Sequence, residues 1–327
     1  MTLALRLNAI GQAPQLERVS LKEPAKGEAR IKVAACGLNF ADLLQIEGRY
    51  QERPALPYTL GMEMAGTVES LGPETDGPAP GTRVAVFAGS GGLAEAANVP
   101  VARLMPLPPD MSFAEAAGFQ IAYGTSHLAL TRRAALAPGE TLVVTGAAGG
   151  VGLTAVEIGK TLGARVIAVA RGADRLAVAK AAGADILIDS ETADLKADLR
   201  ALGGADVVYE TIGGDLFAAT LGALKPEGRM LTIGFAGGQV PPIAANHLLV
   251  KNISVIGLYW GGYLTFAPEL LVGSLQTLLG WYSEGKLRPH ISHLVPLADV
   301  DQALAMLRER KSTGKVVVTC ERAGGTL

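Results

Sequence analysis

The chain has 327 residues, 49% of them hydrophobic, and a formal net charge of −2. That length admits about two domains with large aliphatic cores, and the near-neutral charge excludes nucleic acid or an anionic membrane surface as a partner. Two isolated cysteines, Cys36 and Cys320, exclude a disulfide framework and a cysteine-held structural zinc.

Through residue 120, strand-like runs at 29–35, 64–70 and 83–87 alternate with Pro- and Gly-rich turns such as 71–81. This is an all-β pattern, read as a small barrel. A short helix over 40–47 interrupts it, with Asn39 as N-cap and Asp42 in the first turn, where a negative charge suits the helix dipole. A long helix over 113–132 follows, with Ser112 as N-cap and Glu115 at the capping-box position.

From 141 to 258, short apolar strands alternate with helical patterns. The strands are read at 141–145, 165–170, 186–188, 206–210, 229–234 and 254–258, and the helices at 151–162, 173–182, 192–202, 216–224 and 243–251. Continuous apolar runs are buried on both faces. Their alternation with helices predicts right-handed crossovers and a doubly wound, six-stranded parallel sheet. The tail reads as helix 267–284, strand 291–295, helix 297–310 and strand 316–320, too little for a domain of its own. It is therefore assigned to the first domain, giving 1–122 with 261–327 as one domain and 123–260 as the other. No uncharged apolar stretch reaches the ~18 residues of a membrane span. The N-terminus MTLALRLNAIGQ lacks the pattern of a secretory signal, so a reducing cytoplasm is the expected location.

The run VVTGAAGGVG, 143–152, carries the most information. A strand that turns on glycines into a helix is a phosphate cradle, because the backbone can approach a pyrophosphate that the helix N-terminus then binds. The glycines fall at 146, 149, 150 and 152, off the strict GxGxxG spacing, but the strand-turn-helix context is right. The next strand ends in Arg171 instead of an acid, which suits a 2′-phosphate, and Arg175 is placed to share it. NADPH is the cofactor this implies. The loops 210–213 and 234–237 end two further strands, where ligands sit in open α/β sheets.

In the first domain Asn39, Asp42 and Tyr50 form a polar cluster. An Asn amide or a Tyr hydroxyl can polarise the carbonyl of a hydride acceptor; the same residues also serve as cap, first-turn charge and packing. Glu63 has no His or Cys beside it, and of His127, His247, His290 and His293 only the last two are close. That is too few ligands for zinc, and no metal is expected.

The segments GLNFADLLQIEGRY, LPYTLGMEMAGTVESLG, VVTGAAGGVG, GADVVYETIGG and STGKVVV fall in the order of the medium-chain dehydrogenase/reductase superfamily. Over essentially its whole length the chain resembles the zinc-free quinone oxidoreductase branch, which includes zeta-crystallin. Zinc-containing relatives carry Cys at the position of Asn39, His at that of Met62 and Cys near Ala117. The resemblance implies a GroES-like β-barrel catalytic domain and a Rossmann domain that binds NADPH. It implies that Asn39, Asp42 and Tyr50 line the substrate pocket, and that Thr125, Ala148, Gly149, Gly150, Val151, Arg171, Arg175 and Gly213 meet the cofactor. Gly234, Phe235, Ala236, Leu258 and Trp260 would flank the nicotinamide, and Lys315 would reach the cofactor from the tail. Some bacterial quinone reductases have a second Tyr where this chain has Leu44. The implied function is hydride transfer from NADPH to a quinone or another α,β-unsaturated carbonyl. An enoyl-thioester reductase and a non-catalytic NADPH-binding structural or regulatory protein are the alternatives. The family is usually oligomeric, and the apolar strand 253–258 predicts a homodimer with one continuous intermolecular sheet.

Overall fold

The computed structural model describes residues 1–320. The chain divides into two compact units, Met1–Ile121 with the segment from Pro289 onward, and Ala122–Arg288. The second crossing is at 288/289, where the sequence reading has 260/261, so the helix Pro268–Ser283 belongs to the second unit. Residues 321–327 of the 261–327 segment lie outside the described residues.

The first unit is the expected β domain. One sheet path runs through Ile291–Pro296, Lys315–Thr319, Glu28–Gly37, Glu63–Leu71, Arg83–Phe87 and Leu104–Pro106, with Ala96–Pro100 paired onto Glu28–Gly37. Thr2–Leu7, Gln15–Val19 and Tyr58–Thr59 form a second, three-stranded sheet. The core includes Ile31, Val33, Met64, Val84, Val86, Val316 and Val318, the inward positions of alternating strands. Phe40–Ile46 is the short helix that follows Asn39.

The second unit carries six parallel strands in the order Ile186–Asp189, Arg165–Ala170, Thr141–Thr145, Ala205–Glu210, Leu224–Thr232 and Ser254–Gly257. This is the doubly wound dinucleotide-binding order, and the strand sequence reverses between Thr141–Thr145 and Ala205–Glu210. The central strand Thr141–Thr145 is buried at all positions, as its apolar run requires.

The expected helix over 113–132 is broken. Phe113–Ala117 ends at Gly118, Gln120–His127 begins after Phe119, and Leu128–Arg133 is wound as a π-helix. Gly118 lies against the stem of Lys315, and a Cβ there would approach its Cβ and Cγ to 3.2 Å. The helical periodicity of the sequence carries no trace of this tertiary contact.

Candidate active site

In the second unit the glycine bend links the strand Thr141–Thr145 to the helix Gly150–Thr161, with Gly149 as N-cap. Gly146 has φ +59, and a Cβ on Gly152 would stand 2.2 Å from the Gly146 carbonyl oxygen. Only a glycine lets the helix start so close to the turn. The first-turn amides have no intrahelical acceptor, and no acidic side chain occupies that turn, so an anion fits the cradle. Ala148 is buried, whereas Gly149, Gly150 and Val151 are half-buried.

The neighbouring strand ends bring their loops to the same edge of the sheet. The Ala236 amide donates to Thr211 O (2.9 Å) and the Gly237 amide to Ile212 O (2.7 Å). Glu210 Oε1 accepts from the amides of Ile212 (2.6 Å) and Gly213 (2.8 Å). Burial holds the Glu210 carboxyl above its usual value, and those two amides offset the rise only in part. Phe235 packs against Gly213, where a Cβ would lie 3.2 Å from its ring. Gly234 and Ala236 are half-buried beside it.

Behind the cradle, Ser126 Oγ lies 3.0 Å from Val151 O, 2.8 Å from Thr154 Oγ1 and 2.9 Å from the Tyr209 hydroxyl. This buried network braces the first turn of the binding helix, and the sequence reading missed it. Its neighbour Thr125 is buried. Trp260 is buried against Gly124, whose Cβ would stand 2.7 Å from the indole, and Leu258 is half-buried.

Arg171 is the exposed N-cap of the helix Gly172–Ala181, and Arg175 is half-buried four residues along it. An acid is also present. Asp189 Oδ1 accepts from the amides of Gly172 (3.1 Å) and Glu191 (3.0 Å). It comes from the end of the next strand, so the strand bearing Arg171 gives no sign of it.

The first unit gathers the other predicted polar residues. Asn39 and Asp42 are joined by the Asn39 N–H donating to Asp42 Oδ2 (2.8 Å). The Asn39 side-chain amide is fully engaged. Its Nδ2 donates to Glu63 Oε1 (2.9 Å) and Gly37 O (3.3 Å), and its Oδ1 accepts from Lys315 Nζ (2.7 Å). Lys315 also donates to Leu38 O (2.7 Å) and Glu63 Oε1 (2.8 Å). Glu63 Oε2 accepts from the Ile121 amide (2.9 Å). Glu63, considered in the sequence only as a metal ligand, is thus the hub of the cluster. Tyr50 is half-buried just past the short helix, its amide donating to Leu44 O (3.2 Å).

Asp42 is fully buried, and that burial lifts its carboxyl to about 7. The Asn39 amide, the Lys315 charge and the Met62 amide lower it, and Glu63 raises it further. These residues do not fit a zinc ion. No group of three or more His, Cys, Asp or Glu side chains among the described residues could hold one, and an ammonium already sits on Glu63.

Two family models match the chain: the alcohol dehydrogenase GroES-like domain over residues 25–109 and the zinc-binding dehydrogenase over 150–272. The quinone oxidoreductase-like protein 2 homolog of Nematostella vectensis is 38% identical over 326 residues, covering 98% of this chain and 89% of that protein. The human synaptic vesicle membrane protein VAT-1 homolog is 33% identical over 313 residues, covering 90% of this chain and 79% of that protein. Among solved structures, the quinone oxidoreductase of Thermus thermophilus, determined also in complex with NADPH, is 35% identical with a TM-score of 0.86. The match covers 97% of this chain and 99% of that one. No helix among the described residues is long and apolar enough to cross a membrane.

Proposed function

The chain belongs to the medium-chain dehydrogenase/reductase superfamily, with quinone oxidoreductase-like relatives, and from that premise we propose an NADPH-dependent, metal-free reductase of a quinone or an enone. The observation that carries the proposal is the glycine bend at the point where the strand order reverses, with Arg171 just past the adjoining strand and Arg175 on the helix that follows it. NADPH supplies the hydride. The amides of Gly150 and Val151 bind its pyrophosphate, and Arg171 with Arg175 binds the 2′-phosphate. The 211–213 and 234–236 loops hold the nicotinamide end.

Because both N–H groups of the Asn39 amide are spent on protein acceptors, the Tyr50 hydroxyl is the better candidate to polarise the acceptor carbonyl. Asn39 and Asp42 then shape the substrate pocket without donating into it. The active form is a homodimer in the cytoplasm, and the partner is a small molecule.

A steady-state comparison of NADPH and NADH over quinones, enones and enoyl-CoA esters tests this. Replacing Arg171 and Arg175 by Ala is expected to raise the NADPH KM about 10-fold or more and leave the NADH KM nearly unchanged, since each charge-assisted bond is worth about 1.5–3 kcal/mol. Equal or better kcat/KM with NADH defeats the cofactor assignment. Turnover confined to the thioesters selects the enoyl-thioester reductase, for which Arg49 within the Asn39–Tyr50 segment and Arg53 just after it are the basic groups at hand in sequence. NADPH binding with no turnover selects a structural or regulatory role.

A further inference from the structure

Lys315 opens the strand Lys315–Thr319, and its side chain is 7% exposed, against 1% for Glu63. Its three N–H donors meet three acceptors: Leu38 O, Asn39 Oδ1 and Glu63 Oε1. Glu63 in turn receives Asn39 Nδ2 and the Ile121 amide. The Asn39 amide therefore stands between a cation on its oxygen side and an anion on its nitrogen side, which permits only one of its two flips. Gly118 makes room for the lysine stem.

A buried ion pair is often no more stabilising than apolar side chains of similar volume. What apolar side chains cannot do is select an amide orientation or hold the Leu38 carbonyl and the Ile121 amide to one centre. We infer that Lys315 and Glu63 are positioning residues, which lock the Leu38–Asn39 turn and so the wall of the substrate pocket. This rests on the reductase reading for its consequence in turnover, but its structural content stands apart from it. It also gives Lys315 a different task from reaching the cofactor, because each of its donors already has a protein acceptor.

The test compares Lys315→Met with the double variant Lys315→Met/Glu63→Met. The single change leaves a carboxylate buried without its cation and lowers the melting temperature. The double change removes both charges and restores most of the stability. Turnover is expected to stay about 10- to 100-fold down in the double variant, as small misplacements in a pocket cost, with the NADPH Kd within about twofold of wild type. Recovery of wild-type kcat along with stability makes the pair merely structural and overturns the inference. A large loss of NADPH affinity at unchanged kcat overturns it too, by making Lys315 a cofactor ligand.

A second readout does not depend on turnover. The chain has five asparagines, so selective 15N labelling isolates the Asn39 side-chain amide. In wild type its two protons are expected to be protected from exchange and shifted away from those of a solvent-exposed asparagine, and in the double variant they lose both properties. Glu63→Gln, which keeps the volume and the fold, is expected to shift the same signal. An Asn39 amide unmoved in both variants sinks the inference. A wild type that reduces no acceptor sinks the reductase reading and leaves this one decided by the amide signal.

Discussion

Asp42 has no exposure to solvent, and burial lifts its carboxyl from 3.8 to about 7 against the lowering effect of the Asn39 amide and the Lys315 charge. The groups facing it include Lys315, Glu63, Cys36 and Tyr58. The unfolded chain releases this proton near 3.8 and the folded chain near 7, so the native state binds more protons in between. The contribution to stability is full below about pH 4, falls as pH rises through that window, and is level above it. Asp42→Asn keeps an oxygen for the Asn39 N–H and removes the ionisation. The variant is expected to gain on wild type between about pH 5 and pH 8, by up to ~3 kcal/mol at about 1.36 kcal/mol per pH unit. Urea melts at the two pH values measure this, and parallel shifts in both proteins contradict it. Tyr50→Phe probes the same pocket: kcat is expected to fall about 10-fold or more with the NADPH Kd unchanged, as loss of one aligned donor costs. An unchanged kcat moves the polarising role elsewhere.

Among the elements, those read correctly have a local cause. The strands Thr141–Thr145, Arg165–Ala170 and Arg83–Phe87 match the sequence reading to the residue, because a buried strand writes its burial into a continuous or alternating apolar run. Thr2–Leu7, Gln15–Val19 and Ala96–Pro100 were not anticipated; Gln15–Val19 has no buried residue, so its sequence carries no alternation to read. The site divides in the same way. The glycine bend is legible because its constraint is within seven residues of sequence, 146–152. The Lys315–Glu63 contact joins positions 252 apart, and Asp189 reaches the helix after Arg171 from another strand. Neither leaves a mark on its neighbours in sequence. The bend itself yields the sharpest test at this scale. A Cβ at 152 would overlap the Gly146 carbonyl at 2.2 Å, with backbone on both sides and no flexible side chain to move. Gly152→Ala is expected to push the helix from the turn, cost about 3 kcal/mol or more, and weaken NADPH binding at least about 10-fold. Wild-type affinity in isothermal titration would show that the cradle lies elsewhere.

For the whole molecule, the open question the fold raises is what covers the last strand of the parallel sheet. Ser254–Gly257 pairs with Leu224–Thr232 on one side and is the terminal strand of the sheet order on the other. Its central residues Val255 and Ile256 are half-buried, and it carries no proline or charge to discourage pairing. The helix just before it, Ala245–Lys251, exposes Leu249 at 77% and Val250 at 76%. A strand edge of this kind closes most economically on its own copy across a two-fold axis, since an isologous contact leaves no further edge open. Each six-stranded sheet would then continue into the other. Leu249→Glu/Val250→Glu changes two side chains that are already in solvent, so the isolated fold should tolerate it, with stability within about 0.5 kcal/mol. The same change places two like charges against their symmetry mates in a dimer. Light scattering is expected to give twice the chain mass of 33.7 kDa for wild type and a single chain for the variant, with the NADPH Kd retained because the glycine cradle follows the central strand Thr141–Thr145 and not this edge strand. A wild type that scatters as one chain at micromolar concentration rejects the homodimer. A variant that stays dimeric places the contact away from this edge.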